Sequence, residues 1–368
     1  MKRGNITKRG KNSWQLKFDA QSLDGKRRQR YATVRGSYQD AQKALTRLLG
    51  ELDSGTSIEP TSATVAEYVR QWLDSTHEQS PKTLERYHQL ADGQIIPHLG
   101  AHKLQKLAPE HIQQWHGTLI GEGLSPRTVG HAHRVLRLVL QCAVKNGTLA
   151  RNVAAVHAPP KVEETELEIL TFDQITDVLT KLEGHALFSI VSLALATGMR
   201  RGELLGLQWG DVDLDGGTLR VERSVEETKA GLRLKSPKTK RGRRNITLPA
   251  EAVSVLRQHK VETLKLRLKL EMGNVTPTTR VFGITEPIRP RNLSKSWWRA
   301  RGALKLPTVS FHAFRHSHAS MLIRAGVDVL TVSRRLGHAN ASITLNVYGH
   351  LIEGADAAAA KAIEGLLK

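Results

Sequence analysis

The sequence predicts a multidomain α+β protein: a small β-sheet and helix module, an all-α domain, and a mainly α domain that contains a small antiparallel sheet. The chain has 368 residues, more than one ordinary hydrophobic core accommodates. Two linker-like segments, 56–62 and 156–168, are rich in Ser, Thr, Pro and acidic residues. The hydrophobic periodicity changes at both linkers. We therefore expect three domains, at 1–55, 63–155 and 169–368.

The first domain reads as a basic sheet covered by one helix. Residues 13–20 alternate apolar and polar side chains, as a half-buried strand does, and Asp24-Gly25 is a hairpin turn signal. A second, basic strand follows at 26–34, and 38–53 has helical periodicity. Such a sheet could lie in a DNA groove, although a solvated charged face would give the same pattern. The DNA-contact candidates here are Lys26, Arg27, Arg28 and Arg30.

Residues 63–155 read as entirely helical. Ser80-Pro and Ser125-Pro are near-repeats in which Ser is a plausible N-cap and Pro occupies the first helical position. A cation follows each pair, Lys82 in the first and Arg127 in the second. Free backbone amides beside a cation make natural phosphate contacts, although two well-capped helices would need no ligand. Cys142 falls in an apolar helical stretch and is expected to be a core residue.

The pattern from residue 169 onward is mixed. Two helices are expected at 172–182 and 184–196, and further helices near 250–270 and 293–303. Between them lie three expected strands, at 218–223, 232–235 and 243–248. The first two flank a turn near Ala230-Gly231. A hairpin joins the last two, and Lys238 lies at its tip.

Charge limits the partners of this chain. Lys and Arg number 55 against 35 Asp and Glu, which gives a net charge of +20 and indicates a polyanionic partner. No apolar run reaches the roughly 20 residues that span a bilayer, so a nucleic acid is favoured over a membrane. The N-terminus has no apolar segment of signal-peptide type, which favours a cytoplasmic location. A single cysteine builds neither a disulfide framework nor a zinc cluster. We expect no metal and no other cofactor.

Arginine, histidine and tyrosine side chains toward the C-terminus fit attack on a phosphodiester. Arg200 follows a helix that ends at Thr197-Gly198, where its guanidinium could hold two phosphate oxygens, with Glu203 orienting it. His312 and Arg315 have helical spacing and could donate to the same phosphate. These arginines would stabilise the charge of a pentacoordinate phosphorane.

A nucleophile and a general acid complete this chemistry. Tyr348 would form a covalent phosphotyrosine that conserves the bond energy for rejoining. Lys238 would donate a proton to the leaving oxygen. Each motif is weak alone, and a C-terminal tyrosine is more often structural. His316 and His318 beside His312 could instead indicate a metal site, but no cysteine and no His-Glu-x-x-His pattern supports one.

Taken in order, these residues resemble the tyrosine recombinases of the phage integrase family, over essentially the whole chain. Six catalytic positions of that family match residues here, with none missing: Arg200, Lys238, His312, Arg315, His338 and Tyr348. Phe314 stands where the family more often has leucine. The lysine is the least secure match, because Lys235 and Lys240 flank Lys238.

The resemblance implies an integrase of a phage or an integrative conjugative element. Its reaction would be metal-independent, with a 3′-phosphotyrosine intermediate and a 5′-hydroxyl leaving group. The three domains would bind arm-type DNA sites, bind core DNA sites and carry out catalysis. The resemblance further implies a homotetramer that exchanges strands through a Holliday junction. Accessory partners would be a DNA-bending host factor and a directionality factor.

Three other functions remain open at this point. A metal-dependent rolling-circle nickase also uses a tyrosine, and His131-Ala-His133 resembles its paired histidines, although i and i+2 side chains of a helix point apart. A non-enzymatic DNA-binding regulator could use the same scaffold, but the complete catalytic set argues against it. A type IB topoisomerase would share the chemistry, and the extra N-terminal module counts against that assignment.

Overall fold

Residue contacts divide the protein into two units, Met1–Glu163 and Glu164–Lys368. The computed structural model describes residues 4–21, 27–53, 58, 60–163, 167–236, 242–349 and 363–364. Helices predominate over these residues and are accompanied by short antiparallel sheets, in agreement with the predicted α+β class. None of the helices described is long and apolar enough to cross a membrane.

The N-terminal sheet has three antiparallel strands in the order β1-β2-β3: Gly4–Gly10, Ser13–Gln21 and Arg27–Arg35. Helix α1, Tyr38–Asp53, packs on the sheet through a small core that includes Leu16, Phe18 and Ala41. The predicted strand at 13–20, the basic strand after it and the helix are confirmed, whereas β1 was not predicted. The predicted turn at Asp24-Gly25 lies outside the described residues.

The register of this sheet changes the expected position of its cations. Arg30 is the direct partner of Phe18, and direct partners of an antiparallel pair share a face. Phe18 is buried toward α1, so Arg30 lies on the helix side of the sheet. Lys17 pairs with Tyr31 on the opposite face, where Tyr31 is 57% exposed. Arg30 therefore does not lie on the face of the sheet opposite α1, where a DNA contact would be made most easily.

Helices fill the rest of the first unit, as predicted. The serine caps are confirmed: Ser80 Oγ accepts from the Thr83 amide, and Ser125 Oγ accepts from the Thr128 amide, both at 3.3 Å. Cys142 is half-buried rather than part of the core. The helices are α2 (Val65–Ser75), α3 (Pro81–Leu90), α4 (Ile96–Leu99), α5 (Pro109–Gly121) and α6 (Pro126–Lys145).

Among the described residues, the second unit has eight α-helices and two small sheets. The predicted helices at 172–182 and 250–270 are confirmed, and the one predicted at 184–196 begins later, at Phe188. The helices are α7 (Phe172–Leu182), α8 (Phe188–Thr197), α9 (Arg201–Gly206), α10 (Ala250–Lys269), α11 (Pro290–Ala303), α12 (Ala313–Arg324), α13 (Val329–Leu336) and α14 (Ala341–Tyr348).

Strand pairing in the second unit differs from the prediction. The strand at Thr218–Val221 pairs with Arg244–Thr247, and Gly231–Lys235 pairs with Ser224–Thr228, a strand that was not predicted. Residues 231–235 and 244–247 thus belong to different sheets, so the segment between them does not join two paired strands. The strands are β4 (Val212–Asp213), β5 (Thr218–Val221), β6 (Ser224–Thr228), β7 (Gly231–Lys235) and β8 (Arg244–Thr247).

Candidate active site

Two backbone turns hold Arg315 at the centre of the candidate site. Its Nη1 donates to the Gly198 carbonyl at 2.7 Å, and its Nη2 donates to the Leu336 carbonyl at 2.8 Å. Gly198 ends α8 with a φ of +63°, the left-handed conformation that favours glycine. Among the described residues no carboxylate forms an ion pair with Arg315, and burial, followed by the charge of Arg200, lowers its pKa. A buried cation held by neutral carbonyls is suited to an anionic ligand.

Arg200 lies beside Arg315 and is more open to solvent. Its backbone N–H donates to Glu203 Oε2 at 3.0 Å and its Nη1 to Glu203 Oε1 at 2.9 Å, which confirms the predicted pairing. Its Nη2 donates to the Gly337 carbonyl at 3.3 Å, adjacent to the carbonyl that Arg315 contacts. The Arg200 side chain is 43% exposed, so part of the guanidinium remains accessible.

Arg244 supports this arrangement from β8 and was not singled out in the sequence. Its Nη2 donates to Glu203 Oε2 at 2.9 Å, and its Nε donates to the Arg335 carbonyl at 2.6 Å. Burial by itself raises the pKa of Glu203, but hydrogen bonds from Arg244 and Arg200 outweigh it and the net pKa is lowered. Glu203 is therefore an anion that orients two guanidinium groups.

His318 serves the backbone rather than a metal. Its Nδ1 lies 2.7 Å from the Leu195 carbonyl, and Arg335 Nε donates to its Nε2 at 3.1 Å. These partners fix a neutral imidazole with the proton on Nδ1. Burial, followed by the charge of Arg335, lowers the pKa of His318 to about 4. Both ring nitrogens are thus occupied by protein groups.

His312 and His338 both lie close enough to Arg315 for its charge to act on them. His338 is buried, and its Nδ1 lies 2.7 Å from Thr344 Oγ1. Burial, followed by Arg315, lowers its pKa to about 4. His312 immediately precedes α12 and reaches solvent. Partial desolvation, followed by His316 and Arg315, lowers its pKa. Both imidazoles are therefore neutral near pH 7 and can donate one hydrogen bond without adding charge.

Tyr348 is the last residue of α14 and is only 1% exposed. Its Oη lies 2.8 Å from His316 Nδ1. Burial raises the pKa of the phenol to about 12, although Arg315 acts in the opposite direction. The ring packs in a cluster with Ala319, Ile323, Val332 and Leu336.

Five of the six predicted catalytic residues thus form one group, here called the five-residue cluster: Arg200, His312, Arg315, His338 and Tyr348. Arg315 acts electrostatically on both histidines and on the tyrosine, and its carbonyl contacts adjoin that of Arg200. The sixth, Lys238, lies outside the described residues. Its neighbour Lys235 is bound to the buried carboxylate of Glu226, which leaves Lys235 less available.

Apart from Arg30, which lies on the helix side of its sheet, the predicted DNA-contact residues of the first unit fall into three groups. Lys82 begins α3 as predicted, but its Nζ donates to Glu85 at 3.2 Å. Arg127 is exposed in the first turn of α6, as predicted. Lys26 and the side chains of Arg27 and Arg28 lie outside the described part of the chain.

The histidine pair that resembles a nickase motif does not converge. His133 is buried in α6, and its Nδ1 lies 3.1 Å from His116 Nε2. Burial, followed by the charges of Arg134 and Arg86, lowers the pKa of His131, which lies two residues earlier. The two rings therefore have separate surroundings, as i and i+2 positions of a helix predict.

Sequence reasoning missed two contributors to the site. Arg244 was predicted only as a residue of the strand at 243–248, since nothing in its spacing ties it to Glu203. His316 was considered only as a metal ligand, because the Tyr348 contact spans 32 residues. One sequence signal was available for Arg244: the alternation of the expected strand places this basic residue on the strand face that turns toward the interior.

Comparisons with known proteins agree with this geometry. The model of the phage integrase family matches residues 168–354, and that of the phage integrase N-terminal SAM-like domain matches 64–120. The tyrosine recombinase XerC-like protein of Caldanaerobacter subterraneus subsp. tengcongensis is 28% identical over 335 residues, 85% of this chain and 86% of that protein.

Solved structures share the fold at lower identity. Tn1549 transposon integrase in complex with transposon right end DNA has a TM-score of 0.70 and 21% identity, covering 83% of this chain and 100% of that one. A lambda integrase tetramer bound to a Holliday junction has a TM-score of 0.58 and 21% identity, covering 92% and 94%. Because the first family model matches half of the chain, this protein belongs to the phage integrase family and is a tyrosine recombinase, a site-specific DNA recombinase.

Proposed function

We propose that this recombinase integrates or excises a mobile element by cleaving DNA with Tyr348. The phenol oxygen attacks the scissile phosphate, the bond to the 5′ oxygen breaks, and a 3′-phosphotyrosine holds the strand until a new 5′ hydroxyl attacks it. Two rounds of this exchange pass through a Holliday junction. The observation that carries the proposal is the five-residue cluster, whose members come from α12, α14 and the turns that precede α9, α12 and α14.

The cationic members of the cluster stabilise the phosphorane. Arg315 and Arg200 donate to the non-bridging oxygens, and the neutral imidazoles of His312 and His338 add directed N–H donors. Lys238 acts as the general acid for the leaving 5′ oxygen. The ion pair between Lys235 and Glu226 supports this choice over Lys235.

The three predicted domains divide the DNA contacts. Residues 1–55 bind arm-type sites, 63–155 bind the core site and 169–368 carry out catalysis, with linkers at 56–62 and 156–168. Independent hydrophobic clusters in the first two segments support this division. Arg127 at an exposed helix N-terminus is placed to contact a phosphate. Lys26, Arg27, Arg28, Arg30 and Lys82 are the remaining proposed contacts, of which Arg30 and Lys82 have the weaker structural support.

Assembly follows from the two-strand chemistry. Exchange between two duplexes requires four tyrosines, so the active form is a homotetramer on DNA. The fold shared with a lambda integrase tetramer on a Holliday junction supports this assembly. A DNA-bending host factor and a directionality factor assist it on the nucleoid, in the cytoplasm of a bacterial host.

A suicide substrate tests the function directly. Core-site DNA nicked beside the cleavage position releases a short fragment on cleavage, so the covalent protein–DNA adduct accumulates and is visible on a denaturing gel in EDTA. Wild-type protein should form the adduct, and Tyr348→Phe should bind the DNA without forming it. Peptide mapping of the adduct to another tyrosine, such as Tyr31, would contradict the assignment.

The same assay separates the alternative functions. A rolling-circle nickase would need a divalent metal and would leave its tyrosine on a 5′ phosphate. A DNA-binding regulator would bind and never form an adduct. A type IB topoisomerase would relax supercoils without pairing two sites. An adduct in EDTA, followed by recombination between paired sites, distinguishes the recombinase from all three.

A further inference from the structure

Among the described residues, the side chain that forms a hydrogen bond with the nucleophile proposed above belongs to none of the six matched positions. His316 Nδ1 lies 2.8 Å from Tyr348 Oη, and their rings are tilted at 55° with centroids 5.8 Å apart. His316 is half-buried on α12, and Tyr348 is almost fully buried at the end of α14. Packing of Tyr348 against Ala319 and Ile323 on the same face of α12 keeps the phenol beside this imidazole.

The direction of this hydrogen bond follows from the two protonation states. Burial raises the pKa of Tyr348 to about 12, so the phenol keeps its proton near pH 7. Burial, followed by Arg315, lowers the pKa of His316, so the imidazole is neutral. A phenol is the stronger donor and an imidazole nitrogen the stronger acceptor of this pair. The phenol O–H therefore donates to Nδ1, and the imidazole proton lies on Nε2.

The groups around His316 decide whether it can accept that proton. Arg315 on α12 lowers the pKa of His316 and so disfavours its imidazolium. His312 before α12 and His338 after α13 interact electrostatically with His316, and a charge on His316 lowers their pKa values. Glu168, which precedes α7, has the opposite effect and raises the pKa of His316. The Ser310 backbone N–H donates to Glu168 Oε2 at 2.7 Å, which keeps Glu168 ionised beside the site. A transferred proton would thus be balanced by one nearby carboxylate.

We propose that His316 is the general base for Tyr348, an inference that rests on the proposed nucleophilic role of that tyrosine. As the Oη–P bond forms, the O–H bond breaks and the proton moves to His316 Nδ1. The P–O5′ bond breaks, and the general acid protonates the leaving oxygen. During rejoining the 5′ hydroxyl attacks the phosphotyrosine and gives its proton back to the general acid. The P–Oη bond breaks, and His316 returns its proton to the departing phenolate. His312, which reaches solvent, is left to donate to the phosphate.

Single-turnover cleavage of the nicked core substrate tests this role. His316→Asn places an amide near the Nδ1 position, which can hold the phenol but cannot take its proton. Cleavage should slow by about 100-fold, in the range that general bases contribute, while the Kd for DNA stays unchanged. The same substitution at His312 is the matched control on the neighbouring imidazole. If His316→Asn does not fold, as judged by circular dichroism, His316→Gln is used instead.

A more acidic nucleophile separates catalysis from positioning. Trifluorotyrosine at position 348 ionises without a base, so it should restore the cleavage rate of His316→Asn at least tenfold and that of His312→Asn hardly at all. Rescue confined to His312→Asn would make His312 the base. A His316→Asn rate within threefold of wild type, a faster rate, or a slow rate without rescue would each overturn the proposal. If wild type formed no adduct at Tyr348, the proposed function itself would fail instead.

Discussion

Arg315 and Arg200 are held in different ways, and the difference predicts different effects of substitution. Arg315 is buried and satisfies the Gly198 and Leu336 carbonyls, so Arg315→Ala leaves both carbonyls without their partner. Arg200→Ala leaves Glu203 paired with Arg244. Both variants should lose cleavage by about 10²–10³-fold, since one such donor stabilises a transition state by roughly 3–4 kcal/mol.

Only Arg315→Ala should also lower the melting temperature substantially. Single-turnover cleavage and thermal unfolding of the two variants measure the two effects independently. Equal destabilisation by both would contradict the anchoring role assigned to Arg315, whereas unchanged cleavage in either would remove that arginine from the proposed phosphate contacts.

The proposed role of Lys238 as the general acid can be tested by changing the leaving group. Lys238→Ala should slow cleavage of an ordinary phosphodiester, because the 5′ oxygen needs a proton to leave. A 5′-bridging phosphorothiolate has a thiol leaving group that needs none, so this substrate should restore most of the rate. Lys235→Ala is the matched control, because that side chain is bound to Glu226. If this substrate restored the cleavage rate of Lys235→Ala or Lys240→Ala but not that of Lys238→Ala, the rescued position, and not Lys238, would be the general acid.

The sequence predicted the residues of this site better than their contacts. Gly198 before Arg200, and the helical spacing of His312 and Arg315, are local signals that survive in the structure. Contacts of Arg244 with Glu203 and of His316 with Tyr348 join segments 41 and 32 residues apart. No periodicity encodes such distances, because they depend on how the helices and strands pack.

Among the elements, α5 and α6 share a buried imidazole pair that makes the first unit sensitive to acid. His116 and His133 are in hydrogen-bond contact, and desolvation, followed by the neighbouring imidazole, lowers the pKa of His133 to about 4. The unfolded chain binds protons that the folded chain cannot, so this contribution to stability is complete above pH 6.5 and is lost as the pH falls toward 4. The free energy of unfolding should fall by roughly 3 kcal/mol over this range.

Urea unfolding of the full chain between pH 4 and 8, followed by tryptophan fluorescence, measures this loss. Trp115 lies 5.3 Å from the His116 ring and reports on the pair. The double substitution His116→Leu, His133→Leu should flatten the acid limb of the transition, and His88→Leu on the surface of α3 should not. An unchanged acid limb in the double variant would assign the sensitivity to His318 and His338 instead.

Strand pairing was the element-scale feature that the sequence predicted least well. The strand predicted at 218–223 ends at Val221, and a strand that was not predicted, β6, follows it. The partner of β5 is β8 rather than β7. Both alternatives satisfy the same alternation of apolar and polar residues, and the register depends on which faces the surrounding helices cover. Helices were predicted closely because their caps and apolar stripes are local, as at Ser80 and Ser125.

For the whole molecule, the prediction concerns the segment after Tyr348. Residues 350–362 and 365–368 lie outside the described part of the chain, but their sequence is alanine-rich with an apolar stripe that favours a helix. So short a helix is marginal in water and needs a surface to cover. The resemblance to tyrosine recombinases implies that the segment docks on a neighbouring subunit, and we predict this docking rather than packing on its own domain. Leu330 on α13, and Ile343 and Leu345 on α14, are exposed apolar side chains that such a segment could cover.

Truncation after Ile352 should therefore leave monomeric binding to one core site unchanged and weaken assembly on paired sites. The reason is that the docked segment would couple the position of one subunit's tyrosine to its neighbour, so that only half of the sites cleave at once. Gel-shift titration with one and with two sites, together with tetramer mass by light scattering, measures both effects. Ile343→Ser with Leu345→Ser in the full chain should reproduce the assembly defect from the other side of the contact. A truncated protein that forms tetramers as readily as the full chain would show that the segment packs within its own subunit.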